Sequence, residues 1–261
     1  MINCDKCARV KKILNIPKMA LFSMGIFSRK TQSTKNDFIH SGSTNLDYLL
    51  GGGFPSGLIT QIYGSAGSGK TNICMSAAVQ VALNGNEIAY IDTENSFNKF
   101  RFEQLAGEKA AEIAKRIYLY NPRNLSEQRI AIEKLGNFMD ENFSLIVIDS
   151  FVSLYRLELR GGREKILPFG RELGKQLSIL ANLARDYKCA VLITNQVYDS
   201  FTDEKELEEL MPAGGDALDY WSKIILWIEK QGKDRLVTLI KHSFREDGES
   251  IKLKITKEGI G

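Results

Sequence analysis

From about residue 40 the chain alternates between two hydrophobic periods. Five short runs, residues 58–64 (LITQIYG), 87–92 (EIAYID), 117–121 (IYLYN), 144–149 (SLIVID) and 189–197 (CAVLITNQV), are rich in β-branched residues and apolar almost throughout. Strands buried on both faces have this character. The stretches between them, 70–84, 102–115, 126–141 and 164–187, carry a helical period; in the last, Leu173, Leu177, Leu180, Leu183 and Ala184 recur at three- and four-residue spacing. Strand, helix, strand, repeated, predicts right-handed crossovers and a mostly parallel α/β sheet with helices on both faces. After residue 220 the helical period stops. KIILWIEK, RLVTLIKH and SIKLKIT follow one another across QGKD and REDG, whose Gly and Asp mark tight turns, so an antiparallel meander extends the sheet.

Length and charge refine this picture. A chain of 261 residues accommodates one large α/β domain with an appendage. The net charge of +3 is unevenly placed: residues 1–35 hold eight cations (Lys6, Arg9, Lys11, Lys12, Lys18, Arg29, Lys30, Lys35) against Asp5, a surplus of +7, which leaves −4 for the rest. Residues 28–37 (SRKTQSTKND) are polar throughout and read as a linker. The expected organisation is a weakly ordered basic arm over 1–35 and one domain over 36–261. Cys74 and Cys189 lie within apolar runs, and Cys4-x-x-Cys7 has no second pair at ligand spacing, so a reducing, cytoplasmic setting is expected rather than a zinc or disulfide framework. No apolar run approaches the ~20 residues that span a bilayer.

Chemistry concentrates at the ends of the predicted strands. YGSAGSGKTN matches G-x-x-x-x-G-K-[ST] at Gly64, Gly69, Lys70 and Thr71, between a strand and a helix. In such a loop the backbone N–H groups of Gly64, Ser65, Ala66, Gly67, Ser68, Gly69, Lys70, Thr71 and Asn72 turn inward around phosphate oxygens; Lys70 bridges the terminal phosphates, and the Thr71 hydroxyl binds Mg²⁺. Asp149 ends a buried strand at the sheet's carboxyl edge, where it would hold Mg²⁺ through water. In YIDTENSF, Asp92 and Glu94 share that edge. A carboxylate there can orient and deprotonate an attacking water; the alternative has Thr93 or Asn95 capping the next helix and Glu94 solvated. Asn195 and Gln196 end the fifth run, either as sensors of a terminal phosphate or as a plain polar strand end.

These motifs, together with GSTNLDYLLGGGFPSGLITQIYGSAGSGKTN and in this order and spacing, resemble the ATPase core of the RecA/RadA recombinase family over residues 38 to 261. The resemblance implies a RecA-like fold, ATP and Mg²⁺ as cofactors, Glu94 and Lys70 as catalytic residues, and Arg101 stacked on adenine. It also implies that Lys241 and Arg245 present cations to a neighbouring subunit's nucleotide, with an ordinary basic hairpin as the alternative. The likeness is to short members in which no helix-hairpin-helix domain precedes the core. Residues 1–50 contain no F-x-x-A segment, the element through which the family polymerises, so an oligomer short of an extended filament is expected.

Two segments occupy the places of the family's DNA loops. YRLELRGGR carries Arg156, Arg160 and Arg163, which could meet phosphates or simply face solvent at a helix start. The second holds Asp199, Asp203, Glu204, Glu206, Glu208 and Glu209 against Lys205, a charge that repels a polyanion. Ser200-x-x-Asp203 reads as a helix start, with Phe201, Leu207, Leu210 and Met211 on one face, Pro212 ending it and Gly214-Gly215 turning the chain back. The resulting expectation is an ATP-binding DNA repair and recombination accessory protein with weak ATP hydrolysis and no autonomous strand exchange. Its partners would be DNA, single-stranded or branched and with little sequence preference, and recombinase or junction-processing proteins; no membrane is involved. The rival is a nucleotide-switched, protein-binding regulator in which hydrolysis is incidental.

Overall fold

The five apolar runs are five strands, and they pair in parallel. A computed structural model describes residues 37–159, 166–196 and 212–261. The basic arm, with Cys4 and Cys7, lies outside the described residues, as do Arg160, Arg163 and the acidic stretch as far as Met211. Helix α1 (Thr44–Leu49) lies between the strands of a short antiparallel pair, β1 (Phe38–Ile39) with β2 (Phe54–Pro55). The core follows as β3 (Ile59–Gly64), α2 (Lys70–Leu83), β4 (Glu87–Asp92), α3 (Lys99–Ala106), α4 (Ala110–Ile113), β5 (Ile117–Tyr120), α5 (Leu125–Leu135) and β6 (Phe143–Asp149). It continues with α6 (Ser153–Leu159), α7 (Ile166–Tyr187), β7 (Ala190–Gln196), α8 (Pro212–Trp221), β8 (Ile224–Gln231), β9 (Asp234–Lys241) and β10 (Ser250–Lys254).

The main sheet has the order β10-β9-β8-β3-β7-β6-β4-β5. From β5 across to β8 the strands run parallel, and the β8–β9–β10 meander is antiparallel, as the repeat of periods predicts. Alternation along each strand divides the side chains between two cores. Leu145 and Val147 of β6 pack with α1, α2 and α3, whereas Ile146 and Ile148 pack with α5, α6 and α7. Helix α2 is buried nearly all round, from Ile73 to Ala82, which suits a helix of small and apolar residues with hardly a polar face. Cys74 and Cys189 are buried within these cores.

Register is what assembles the site. Gly64 stands beside Gln196 on one side and Ile228 on the other, Tyr63 beside Asn195, and Asp92 beside Asp149. All these positions are at the carboxyl ends of parallel strands, the edge where open α/β sheets bind ligands.

Three helix boundaries differ from expectation. Helix α3 starts at Lys99, because Asn98 Oδ1 accepts from Arg101 N at 3.1 Å, and it ends at Gly107 (φ 58°); the cap is therefore neither Thr93 nor Asn95. Helix α5 stops at Leu135 rather than continuing to 141. Pro212 begins α8 instead of ending a helix, and Gly214 and Gly215 lie within it. Proline is accommodated at a first helical position because its missing N–H has no partner to lose there.

Leu177 is completely buried in the α7 core. Leu177→Ala is expected to lower the unfolding free energy by about 2–5 kcal/mol, read from the urea midpoint at an unchanged m-value.

Candidate nucleotide-binding site

The phosphate loop leaves β3 at Gly64 and enters α2 at Lys70. Two of its glycines have no room for a side chain. A Cβ on Gly64 would lie 2.2 Å from the Ile228 carbonyl oxygen, and one on Gly69 (φ 112°) would lie 2.6 Å from Ile255 Cδ1. Gly69 is the N-cap of α2 and provides no side-chain cap, so the first N–H groups and the positive end of the helix dipole are open to an anion. The Ser68 hydroxyl is buried and has no hydrogen-bond partner among the described residues. Lys70 is buried too, and its Nζ donates to the carbonyls of Gly64 (2.8 Å) and Ser65 (2.9 Å), drawing the loop around it. Burial lowers the ammonium's pKa, while Asp149 and Glu94 act in the opposite sense. An orphaned hydroxyl, uncapped N–H groups and a desolvated cation on one turn fit a phosphate.

Three acids converge on the tips of β4 and β6, and the structure separates their roles. Asp149 is buried, accepting from Thr194 Oγ1 on Oδ1 (2.5 Å) and from Tyr90 OH and Ser96 Oγ on Oδ2 (both 3.2 Å). Asp92 organises the loop that follows it, accepting from the backbone N–H groups of Glu94 (3.3 Å), Ser96 (3.0 Å) and Phe97 (2.9 Å) and from Asn121 Nδ2 (3.2 Å). Glu94 is thereby set at the rim, where Gln196 Nε2 donates to both its oxygens at 2.9 and 2.7 Å. Burial raises the Glu94 pKa, and Asp149 raises it further; Gln196 and Lys70 oppose them. Thr93 Oγ1 donates to the Ser150 carbonyl (2.7 Å) and accepts from Ser150 N (2.9 Å), which ties the two strand tips together.

Among the described residues no three His, Cys, Asp or Glu side chains are grouped to hold a metal by themselves. That suits Mg²⁺, which keeps several waters and takes one or two carboxylates plus phosphate oxygens. Thr71 and Asp149 are the groups that would hold it.

A cleft of about 350 Å³ continues from the loop, lined by Thr71, Asn72 and Met75 of α2 and by Ser96, Asn98, Phe100, Arg101 and Gln104. The Arg101 guanidinium donates to Asn72 Oδ1 (2.7 Å), Gln104 Oε1 (3.2 Å) and the carbonyls of Thr256 (2.7 Å), Lys257 (3.2 Å) and Gly259 (3.3 Å). Its edge is thus engaged, leaving its flat face to stack on a ring.

The remaining predicted residues divide between the site and the far side of the sheet. Asn195 and Gln196 end β7 beside the loop, and Arg156 donates to the Gln196 carbonyl and to Asn195 Oδ1 (3.4 Å), so it braces the strand tip. Lys241 stands opposite Ile225, which pairs with Gln61, three positions before Gly64; that is about 10 Å back towards the amino end of the sheet. Lys241 donates to the Asp219 carbonyl, and Arg245 donates to the Tyr48 carbonyl (2.9 Å) and lies 5.4 Å from the centre of that ring. Neither is near this chain's own loop. Sequence reasoning missed Tyr90, Thr194, Ser96 and Asn121. Tyr90 and Thr194 stand inside apolar strands, where their only signal is a hydroxyl that burial obliges to find a partner.

Fold and loop together define a RecA-like P-loop protein. The Rad51 family model matches residues 34–261. A relative from Methanococcus maripaludis, named DNA repair and recombination protein RadB, is 43% identical over 215 residues, covering 82% of this chain and 96% of that protein. A relative of the same name from Methanoculleus marisnigri is 41% identical over 229 residues, covering 87% and 98%. A crystal structure of the RadB recombinase is 34% identical, covers 85% of this chain and 98% of that one, and superposes with a TM-score of 0.70. The chain belongs to the Rad51 family.

The raised Glu94 pKa has a testable sign. A folded-state pKa above the unfolded one means that the folded state holds the proton more tightly, so stability falls as pH rises between the two values and the full cost remains above them. Without nucleotide, Glu94→Gln is therefore expected to melt above wild type at pH 7, the difference closing below about pH 4. A lower melting temperature at pH 7 would mean that the Gln196 hydrogen bonds outweigh the desolvation of the charge.

Proposed function

We propose that the chain is a DNA repair and recombination protein that binds ATP with Mg²⁺, hydrolyses it slowly, binds DNA and does not drive strand exchange alone. The observation that carries this reading is the placement of Lys70, Asp149 and Glu94 around one open helix N-terminus at the carboxyl edge of the sheet. Lys70 Nζ would exchange its carbonyl partners, Gly64 and Ser65, for β- and γ-phosphate oxygens. Glu94 would orient a water in line with the γ-phosphorus and take its proton. Mg²⁺ held by Thr71 and Asp149 would neutralise charge developing on the phosphates. Arg101 would form one wall of the adenine site.

Gln196 couples this chemistry to the segment beyond β7. It holds Glu94 through its side chain and Arg156 through its carbonyl, so loss of the γ-phosphate would be felt at the start of the acidic stretch. The same link supports a second reading, a nucleotide-switched regulator of a protein partner. The two diverge for Glu94→Gln in cells, since a pure switch retains repair function and an ATPase-driven factor loses it. The +7 arm over residues 1–35 would supply phosphate contacts that the acidic stretch cannot. Lys241 and Arg245 would act, if on any nucleotide, on that of a neighbouring copy.

Lys70→Ala is expected to abolish binding of ATP, measured calorimetrically. Glu94→Gln should keep ATP binding and lower single-turnover hydrolysis about 10²- to 10⁴-fold. Fast, DNA-stimulated turnover by the wild type would overturn the slow-hydrolysis reading. Removing residues 1–23 should make the salt dependence of DNA affinity shallower, by about 0.7–0.9 in log–log slope for each phosphate that the arm neutralises.

A further inference from the structure

Ser96 has a position that the proposed mechanism leaves unused. Its Oγ lies 3.2 Å from Asp92 Oδ1 and 3.2 Å from Asp149 Oδ2. A hydroxyl has one proton and two lone pairs, so it can satisfy one of these carboxylates at a time. Each carboxylate also has other donors. Asp92 accepts three backbone N–H groups and the Asn121 amide, and Asp149 accepts Thr194 and Tyr90. The Ser96 proton therefore has two carboxylates as destinations. Ser96 is half-buried and lines the cleft with Thr71 and Asn72, and among the described residues no group donates to its oxygen. Its oxygen therefore has acceptor capacity to offer, on a side chain that lines the cleft with Thr71 and reaches Asp149.

We infer that Ser96 is a positioning residue for a hydrated divalent cation: with its proton on Asp92, its oxygen accepts a hydrogen from a water of the cation's shell, and Asp149 Oδ2 accepts another. Without the cation the proton turns to Asp149 and satisfies that oxygen. Nothing is transferred; one hydrogen bond changes its acceptor. The arrangement gives Asp149 Oδ2 a second donor beside Tyr90 when the cation is absent. It also couples the cation to the loop that carries Glu94, since Ser96 N is bonded to the same Asp92 oxygen. This inference rests on the ATP and Mg²⁺ reading above.

The test is binding of a fluorescent ATP analogue to the full chain across a Mg²⁺ titration, with a parallel series in EDTA, for wild type, Ser96→Ala and Ser96→Thr. Ser96→Ala is expected to need about three- to tenfold more Mg²⁺ for half-maximal nucleotide binding, the worth of one hydrogen bond. Its affinity in EDTA should match wild type, and Ser96→Thr, which keeps the hydroxyl, should restore the Mg²⁺ midpoint. An unchanged midpoint in Ser96→Ala, or equal weakening with and without Mg²⁺, overturns the inference and leaves the proposed function standing. Failure of the wild type to bind the analogue overturns both.

Discussion

A carboxylate buried at the end of a parallel strand imposes most of the order seen at this edge. Asp149 has lost its water, and an ionised acid in that setting is tolerated only with several donors around it. The donors come from three directions: Tyr90 in the neighbouring strand β4, Thr194 in β7, and Ser96 in the loop beyond β4. Each has a consequence for position. Tyr90 and Thr194 hold β4 and β7 in register against β6 at their carboxyl ends, and the Ser96 loop brings Glu94 to the rim. The phosphate loop then meets Gln196 because β3 pairs with β7 at the same level. The site is a set of strand ends that share one height in the sheet.

Charge has the same logic. Asp92, Glu94 and Asp149 lie within one loop of each other, with Lys70 as the cation that acts on both Glu94 and Asp149. Asp92 is neutralised in effect by three backbone dipoles and an amide, so it serves the loop rather than the cleft. Glu94 has no such shell and titrates high. Two carboxylates separated by a single residue thus take opposite roles, because one is the strand's last residue, turned inward, and the other belongs to the turn.

Strands and the phosphate loop were readable from sequence because their signals are local: a β-branched run, a glycine spacing, a helix start. The meander was readable for the same reason. What sequence could not supply was long-range partnership. Asn98 caps α3 instead of Thr93 because Thr93 is occupied 57 positions away by Ser150. Arg156, grouped by composition with Arg160 and Arg163 as a phosphate-facing trio, braces the end of β7. That Arg101 would stack on a base is an expectation carried only by family resemblance; that its edge is held by residues 256, 257 and 259 has no local signature. Pro212 and the Gly pair after it carry the composition of a turn, and a helix forms there regardless.

The partners of Arg101 also constrain when the site can exist. Its bonds to Thr256, Lys257 and Gly259 span 155 to 158 positions, and the loop's own flanks, Gln196 and Ile228, arrive 132 and 164 residues after Gly64. Contacts this distant in sequence close late, since their loop-closure entropy must be met before they stabilise anything. A nascent chain that has already made its phosphate loop therefore lacks the flanking strands of that loop and the partners of Arg101. Its guanidinium is fixed only once residues 256 to 259 have been made, so a chain short of that turn would offer nucleotide a cleft with one wall unfastened.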